Sequence, residues 1–232
     1  MIVTNGNKTM KHEDVRTEAT QDDCRLCAIL RDGSAVDAFE SVWLGGDEYK
    51  ALISVGAMVP GWTLVCPIEH EVNLTDHYSK SRFQDFVRKA HTHLQRRYGR
   101  CVVFEHGARR EDSLTGCGVG HAHLHLVPLS FPLSLEALRS APELDWRPCV
   151  MAQVQDLAAG GEYLFVADEY EGPTTAGLLA RLDTPTSQFF RRVIAGRLGL
   201  PEFFDYKKYP MLDIARSSAE ELRAVVTASA GA

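Results

Sequence analysis

One stretch near the middle of the chain carries a histidine at every second position: Gly118-Val119-Gly120-His121-Ala122-His123-Leu124-His125-Leu126-Val127-Pro128. In an extended strand successive side chains point to opposite faces, so the three histidines share one face, about 6.6 Å apart, and the apolar residues between them face a core. Because imidazole is both a metal ligand and a base near neutral pH, this face can hold a metal ion, or one histidine can be a nucleophile while its neighbours hold an anion. The alternative is a solvated strand edge that carries histidines by accident, which the apolar neighbours disfavour.

The composition is that of a globular protein, with 45% hydrophobic and 24% charged residues among 232. A chain of this length forms one large domain, or one domain with an extension, and can bury a substantial core. Its formal net charge of −6 gives no field that attracts a polyanion. Nucleic acid is therefore disfavoured as the main partner.

The six cysteines include one close pair, Cys24 and Cys27, and the rest are scattered singly. This differs from the dense framework of a small secreted protein and predicts a reducing, cytoplasmic location. The first twenty residues are polar and have no apolar core typical of a signal peptide, and no later run approaches the length of a membrane span. We expect a soluble protein with a flexible tail at residues 1–20.

Structure is expected to begin at Asp22-Asp23-Cys24-Arg25-Leu26-Cys27. The Cys-x-x-Cys spacing places two thiolates close enough to bind one zinc ion. The same spacing serves redox chemistry at the start of a helix. Further ligands downstream would favour the metal over the redox interpretation.

Hydrophobic periodicity predicts four strands and one long helix before the histidine stretch. In the helix, Phe83, Phe86, Val87, Ala90 and Leu94 fall at helical spacing, and glycine follows as a stop signal. The predicted strands are Phe39–Leu44, Tyr49–Val55, Trp62–Pro67 and Cys101–Gly107, and the predicted helix is Ser79–Tyr98.

After Pro128 the pattern changes to short elements separated by loops. A helix carries Arg191, Arg192 and Arg197, which form either a solvated face or a phosphate contact. The predicted elements are a helical turn at Leu135–Arg139, an apolar strand at Tyr163–Ala167 and helices at Gln188–Leu198 and Ser217–Ala228.

The order of motifs resembles the histidine triad (HIT) superfamily of nucleotide hydrolases and transferases. It comprises the Cys-x-x-Cys pair, a Pro-Gly turn, a strand with Pro67 and His70 at its end, a helix, and His-Ala-His-Leu-His-Leu-Val, which fits the family motif His-φ-His-φ-His-φ-φ. The resemblance spans residues 22–129. It implies an α+β fold in which an antiparallel sheet of about five strands packs on a main helix. The resemblance and the pattern of the remaining residues together predict a tail at 1–20, a catalytic domain at 21–130 and a mostly helical extension at 131–232 packed on that domain.

The resemblance also implies a chemistry. His123 would be the nucleophile that attacks the α-phosphorus of a nucleotide ester, anhydride or phosphoramidate and forms a nucleotidyl-imidazole intermediate. His125 would bind the phosphate oxygens, and backbone N–H groups near Gly118 and Gly120 would add donors. Water or a second substrate would then displace the nucleotide, without a redox or organic cofactor.

Three further residues are expected to contact the substrate. Ser54 stands where some nucleoside hydrolases of the family have asparagine, and Trp62 stands where many members have histidine after the Pro-Gly turn. Glu105 lies in Phe104-Glu105-His106-Gly107, which, with Gly116-Cys117-Gly118-Val119, is similar to bacterial members of the diadenosine polyphosphate hydrolase type. The two departures predict altered recognition of the base or ribose, and a leaving group that need not be a second nucleotide.

Zinc-containing branches of the superfamily, including the galactose-1-phosphate uridylyltransferase type, use two cysteines, a histidine after the central strand and the first histidine of the motif. The matching residues are Cys24, Cys27, His70 and His121, a set suited to tetrahedral zinc in a structural role. In this interpretation His121 is a metal ligand, and its alternative role is a phosphate contact.

Three functions are compatible with the resemblance. The leading hypothesis is a nucleotide phosphoesterase or nucleotidyltransferase. The second is a HIT scaffold recruited to a pathway-specific reaction on a nucleotide-linked metabolite, and the third is a non-catalytic nucleotide-binding module. Members commonly dimerise through the sheet and helix, so we expect a homodimer with a nucleotide or nucleotide-linked ligand and no nucleic acid or membrane partner.

Overall fold

The computed structural model describes residues 24–32, 42–116 and 119–230. The predicted tail at 1–20 and Gly118 lie outside these ranges. The strands are β1 (Val42–Gly45), β2 (Tyr49–Ile53), β3 (Thr63–Pro67), β4 (Cys101–Gly107), β5 (Leu124–Pro128), β6 (Arg147–Val150), β7 (Glu162–Ala167) and β8 (Ala176–Leu182). The α-helices are α1 (Arg25–Asp32), α2 (Ser81–Tyr98), α3 (Leu133–Ser140), α4 (Val154–Ala158), α5 (Phe189–Arg197) and α6 (Leu212–Ala230), and short 3₁₀ turns occur at Met151–Gln153, Gly172–Thr174 and Pro201–Phe204.

The strands of the described chain form one sheet in the order β1-β2-β3-β5-β4-β7-β8-β6, and each neighbouring pair is antiparallel. The expected α+β class is confirmed, whereas the expected count of about five strands is wrong. Residues before position 130 supply five strands, and the extension adds β6, β7 and β8 to its helices.

The sequence gives a weak signal for two of the three added strands. Strand β8 reads Ala-Gly-Leu-Leu-Ala-Arg-Leu, which has no period-two alternation, and β6 contains Pro148. Both form by successive pairing: β7 pairs with the open edge of β4, β8 pairs with β7, and β6 pairs with β8. Long-range hydrogen bonding thus overrides local preference. Strand β6 is the last in the sheet, where a proline is tolerated.

The long helix α2 forms as its periodicity predicts. Phe83, Val87, Ala90 and Leu94 are buried against the sheet, and Phe86 is partly buried against the same cluster. The helix ends before a glycine with a positive φ of 85°, whose N–H bonds the Gln95 carbonyl. The predicted apolar stripe is therefore confirmed.

The sheet buries both of its faces. One face carries Leu124 and Leu126 of β5 and packs against α2 and α6. The opposite face carries Val102 and Phe104 of β4 and packs against α3 and α5 of the extension. Ala122, Leu124 and Leu126 lie in the first of these cores, so the alternation of faces predicted for the histidine stretch is confirmed.

The short helix α1 packs on the outer part of the sheet. Leu26, Ile29 and Leu30 contact the side chains of Leu52 and Leu64 on β2 and β3. None of the helices in the described ranges is long and apolar enough to cross a membrane.

Candidate functional site

Four side chains converge beside the start of β5. Cys24 precedes α1, Cys27 lies in its first turn, His70 follows β3, and His121 precedes β5. Their ligand atoms all lie within 4.8 Å of one another. The Cys27 Sγ lies 3.2 Å from Nδ1 of His70 and 3.5 Å from Nδ1 of His121, and Cys24 Sγ lies 3.6 Å from the latter. The four predicted ligands are therefore close enough to hold one metal ion.

The two imidazoles are oriented as metal ligands. His121 Nε2 lies 2.9 Å from the Pro67 carbonyl oxygen, and His70 Nε2 lies 3.2 Å from a carboxylate oxygen of Glu111. Both acceptors hold the ring proton on Nε2, which leaves the Nδ1 lone pair directed to the thiols. Such outer hydrogen bonds usually accompany metal-binding histidines. The residues thus fit a cation coordinated by two sulfur and two nitrogen atoms.

His123 is held by the backbone two residues before it. Its Nδ1 lies 2.7 Å from the His121 carbonyl oxygen, which can only accept a hydrogen bond. The proton of the neutral ring is therefore on Nδ1, and Nε2 keeps a free lone pair. This is the tautomer that a nucleophilic imidazole needs.

His125 is packed between two aromatic residues. Trp62 Nε1–H donates to its Nδ1 at 2.9 Å, and the Phe104 ring stacks on it with centroids 4.2 Å apart. The strand register explains this arrangement, because Leu64 on β3 and Phe104 on β4 both pair with His125. The His123 and His125 rings lie 4.8 Å apart, so the structure brings both predicted residues together.

His106 is a third histidine on this face, and the sequence pattern assigned it no role. It lies on β4, with its ring centroid 5.8 Å from that of His125, and its Nε2 accepts the backbone N–H of Phe190 at 3.1 Å. The signal that could have found it is the alternation along β4, which puts Phe104 and His106 on one face and Glu105 on the other.

The extension contributes a buried cation to the site. Arg191 on α5 is 2% exposed, and its guanidinium lies 4.8 Å from the centroid of the Trp62 ring. It donates to the carbonyl oxygens of Gly56 at 2.5 Å and Phe204 at 2.9 Å. The approach to the backbone at Gly56 is close, because a Cβ on this glycine would overlap both Arg191 and Tyr206. Of the three arginines predicted on this helix, Arg191 faces the histidines.

Burial keeps the three histidines of this face neutral. Desolvation, with Arg191 acting in the same direction, lowers the pKa of His123 from 6.5 and that of His125 well below 6.5. Burial, followed by the charges of His123 and Arg191, lowers the pKa of His106 to about 3. The site therefore combines uncharged imidazoles with one fixed positive charge, a setting suited to an anionic ligand.

The other predicted substrate contacts are placed differently. Ser54 closes the β2–β3 hairpin next to Trp62, where its N–H bonds the Trp62 carbonyl and its Oγ donates to the carbonyl of Val55. Glu105 is buried on the opposite face of the sheet, where the hydroxyls of Tyr78 and Tyr163 donate to its carboxylate. Glu105 therefore lies on the face of the sheet opposite the histidines, away from the position at which a substrate contact was predicted.

Of the two predicted glycines, only Gly120 is described. It has φ +60°, and a Cβ at this position would lie 3.2 Å from the Glu111 carbonyl oxygen. This favours glycine at the close approach between the histidine stretch and the preceding loop. Gly118 lies outside the described residues.

The fold and site define an antiparallel α+β protein in which a two-cysteine, two-histidine cluster adjoins a group of buried neutral histidines. No family model matches the chain, and no curated protein matches it. One similar solved structure is a HIT family hydrolase from Clostridium thermocellum, with 18% sequence identity and a TM-score of 0.37; the match covers 47% of this chain and 93% of the hydrolase. Another is a Hit-like protein involved in cell-cycle regulation from Bartonella henselae, with 19% identity and a TM-score of 0.39; the match covers 47% of this chain and 82% of that protein. A hypothetical histidine triad nucleotide-binding protein from Sulfolobus tokodaii has 12% sequence identity and a TM-score of 0.39; the match covers 86% of this chain and 94% of that protein. At these identities and TM-scores the similarity carries no functional argument.

Proposed function

We propose that the protein is an enzyme of the histidine triad type, a nucleotide phosphoesterase or nucleotidyltransferase that acts at an α-phosphate through a nucleotidyl-His123 intermediate. The observation that carries the proposal is the 2.7 Å contact between His123 Nδ1 and the His121 carbonyl. It fixes the tautomer with a free lone pair on Nε2. The motif resemblance supports the nucleotide as substrate.

In the first step the His123 Nε2 lone pair forms a bond to the α-phosphorus, and the bond from phosphorus to the leaving group breaks. The ring gains positive charge, which the His121 carbonyl oxygen stabilises through Nδ1–H. In the second step water or another acceptor attacks phosphorus, and the N–P bond breaks. Its electron pair returns to Nε2, the proton of the acceptor goes to solvent, and His123 is regenerated.

In this proposal His125 and Arg191 act on the anionic phosphate. His125 adjoins His123 and has a buried Nε2 that can donate to a phosphate oxygen. Arg191 supplies a positive charge that needs no reorganisation during the reaction, because two backbone carbonyls hold it.

We further propose that the cluster of Cys24, Cys27, His70 and His121 binds zinc in a structural role. Zn–S bonds of about 2.3 Å and Zn–N bonds of about 2.0–2.1 Å at tetrahedral angles separate the two ligand atoms by about 3.5 Å. The sulfur-to-nitrogen distances of 3.2 to 3.6 Å are consistent with this value. Four protein ligands would leave no open coordination position on the ion, so zinc held here would cross-link α1 to the histidine stretch rather than activate water.

A non-catalytic nucleotide-binding module is the second candidate, favoured by one observation. Helix α5 covers the histidine face, with the ring of Phe190 centred 5.1 Å from that of His106, and His123 is only 6% exposed. A site this enclosed suits retention of a ligand as well as turnover.

The two candidates are separated by incubation with dinucleoside polyphosphates, nucleoside phosphoramidates and nucleotide sugars. We expect release of nucleoside monophosphate, a decrease of roughly 10³-fold or more for His123→Ala, and a nucleotidyl adduct on the His123 peptide. His91→Gln on α2 is the matched control, since this histidine bonds the Cys101 carbonyl on the other face of the sheet. Activity retained in His123→Ala would refute the proposed mechanism, and tight binding without release would favour the binding module.

A further inference from the structure

The position of one proton in the histidine face is determined by a single contact. Trp62 Nε1–H lies 2.9 Å from His125 Nδ1. An indole N–H can only donate, so Nδ1 of His125 is the acceptor and carries no proton. The neutral ring of His125 therefore holds its one proton on Nε2.

This Nε2 atom is buried and has no hydrogen-bond partner among the described residues. Buried polar groups in native proteins are nearly always paired, so an unpaired one calls for an explanation such as a catalytic role. The His125 ring adjoins that of His123 at 4.8 Å. A group bound at His123 is therefore well placed to accept from the free donor.

The surrounding packing prevents the His125 ring from flipping to exchange the positions of its two nitrogen atoms. Phe104 stacks on it with an interplanar angle of 17°, and the edge of Phe104 meets Trp62 at 6.1 Å between centroids. The Arg191 guanidinium covers the Trp62 ring at 4.8 Å. Trp62 is fully buried and fixed in turn, so the tautomer of His125 is built into the fold.

We propose that Trp62 is a positioning residue that fixes His125 as an uncharged Nε2–H donor. The consequence, which rests on the proposed function, is a restriction on the substrate. The site accepts phosphoanhydrides, whose leaving group departs without taking up a proton, and discriminates against phosphoramidates.

Cleavage of a phosphoanhydride needs no proton donor for its leaving group. The Nε2 lone pair of His123 forms the N–P bond, the bridging P–O bond breaks, and its electrons leave on a phosphate oxygen. A phosphate leaving group is largely ionised at neutral pH, since its second pKa is about 6. His125 Nε2–H donates a hydrogen bond to the phosphate oxygens and keeps its proton throughout.

Phosphoramidate cleavage needs a proton donor. Breaking the P–N bond expels an amine nitrogen that must take up a proton to leave. Trp62 has no acceptor through which a proton could return to Nδ1, so a proton given by His125 would leave an imidazolate anion. The neighbouring His106 accepts the Phe190 N–H at Nε2, so its ring is also uncharged and would have to become an anion to give up its remaining proton, and Arg191 does not give up a proton. These groups offer no acid for the amine.

The tautomer can be tested without any substrate. In protein labelled with ¹⁵N-histidine, with His125 assigned by comparison with His125→Gln, we expect wild-type His125 to show a protonated Nε2 and an unprotonated Nδ1. Trp62→Phe removes the donor and keeps an aromatic ring, so the signals should shift toward a mixture of tautomers. Trp62→His restores a donor and should recover part of the Nε2–H signal. The wild-type spectrum alone can overturn the inference, by showing His125 protonated on Nδ1. This test does not depend on whether the two variants fold.

Kinetics test the substrate restriction. We expect wild-type kcat/KM for a dinucleoside triphosphate to exceed that for a nucleoside phosphoramidate of an aliphatic amine by at least about 100-fold. Trp62→Phe should lower kcat for the anhydride by roughly tenfold with little change in KM, because ground-state packing is kept. Trp62→His should narrow the ratio between the two substrates, because a second imidazole can pass a proton to His125.

The two proposals fail in different ways. If wild type cleaves both substrate classes equally while His123→Ala cleaves neither, the proposed function stands and the restriction is wrong. If no nucleotide is cleaved, the proposed function has failed and with it the restriction, whereas the ¹⁵N signals still decide the role of Trp62.

Discussion

His121 couples the two halves of the site through a single residue. Its imidazole faces the cysteine thiols, while its backbone carbonyl accepts the Nδ1–H of His123. Its Nε2 is held by the carbonyl of Pro67 at the end of β3. Loss of the proposed metal ion would therefore reach the tautomer and orientation of His123 through one peptide unit.

Glu105 is a buried carboxyl group on the opposite face of the same sheet. It accepts from the hydroxyls of Tyr78, at 2.5 Å, and Tyr163, and from the N–H of Leu74 at 2.8 Å. Burial raises its pKa from 4.5 to about 7, although these three hydrogen bonds act in the opposite direction. The pKa values of both tyrosines are raised well above 10, chiefly by burial, so they stay neutral near pH 7.

Glu105 should make stability depend on pH. The folded state holds the proton more tightly than the unfolded state, so its stabilisation is complete below pH 4.5 and is lost as pH rises through 7. We expect the free energy of unfolding of wild type relative to Glu105→Gln, measured in urea from pH 5 to 8, to decrease as pH rises. The buried histidines, whose lowered pKa values act in the opposite direction, are common to both proteins and cancel in this difference. The exposed Glu143→Gln should retain the wild-type slope. Equal slopes in all three proteins would contradict this assignment.

Helix α1 is too short to be stable by itself. Eight residues fall below the length at which isolated helices persist in water, so the helix depends on tertiary contacts. Leu26, Ile29 and Leu30 supply an apolar contact with the sheet, and the proposed zinc cluster supplies a second attachment. In the proposed zinc-bound state the cluster would add to these apolar contacts in keeping α1 docked.

Loss of the metal should release α1 selectively. We expect one zinc per chain in wild type by elemental analysis and none in Cys27→Ser. Backbone amide exchange should accelerate in residues 24–32 and not in α2, and the rate of nucleotide cleavage should fall because His121 no longer fixes His123. Cys149→Ser, in β6, should keep its zinc. A wild-type protein without zinc would refute the ligand assignment.

The sheet joins the extension to the rest of the molecule. Strand β7 pairs with β4 along five residue pairs, from Val103 with Ala167 to Gly107 with Tyr163. Helix α5 lies on the histidine face, and the hydroxyl of Tyr98 on α2 bonds Glu221 on α6 at 2.9 Å. Residues 131–232 thus contribute to both cores. The division at residue 130 and the homodimer expected from the resemblance stay predictions.

Removal of the extension should prevent folding. A chain that ends at residue 130 exposes the edge of β4 and the apolar face under α5, so we expect aggregation or no cooperative thermal transition. The full chain should unfold in a single transition by calorimetry. Removal of residues 1–20, predicted to be a flexible tail, should leave that transition unchanged. A cooperative transition in the shortened chain would instead show that residues 21–130 fold alone.

Local sequence pattern determined much of the site. The period-two alternation from His121 to Leu126 placed apolar residues in one core, and the Cys-x-x-Cys spacing with His70 and His121 identified the four residues that converge. The same alternation along β4 explains why Glu105 lies on the opposite face, although the family resemblance suggests that it contacts the substrate. These features depend on strand geometry and residue spacing, which a sequence displays directly.

Only the tertiary structure decided what surrounds the histidines. Trp62 and His125 are 63 residues apart in the chain, and Arg191 and Gly56 are 135 apart. Such contacts arise from strand pairing and from the docking of α5 on the sheet, and the periodicity of a short segment gives no information about either. The sequence by itself therefore determined which histidines share one strand face and which cysteines and histidines have metal-ligand spacing. The packing of distant elements decided the tautomer of His125 and the position of the fixed charge, because both depend on long-range hydrogen bonds.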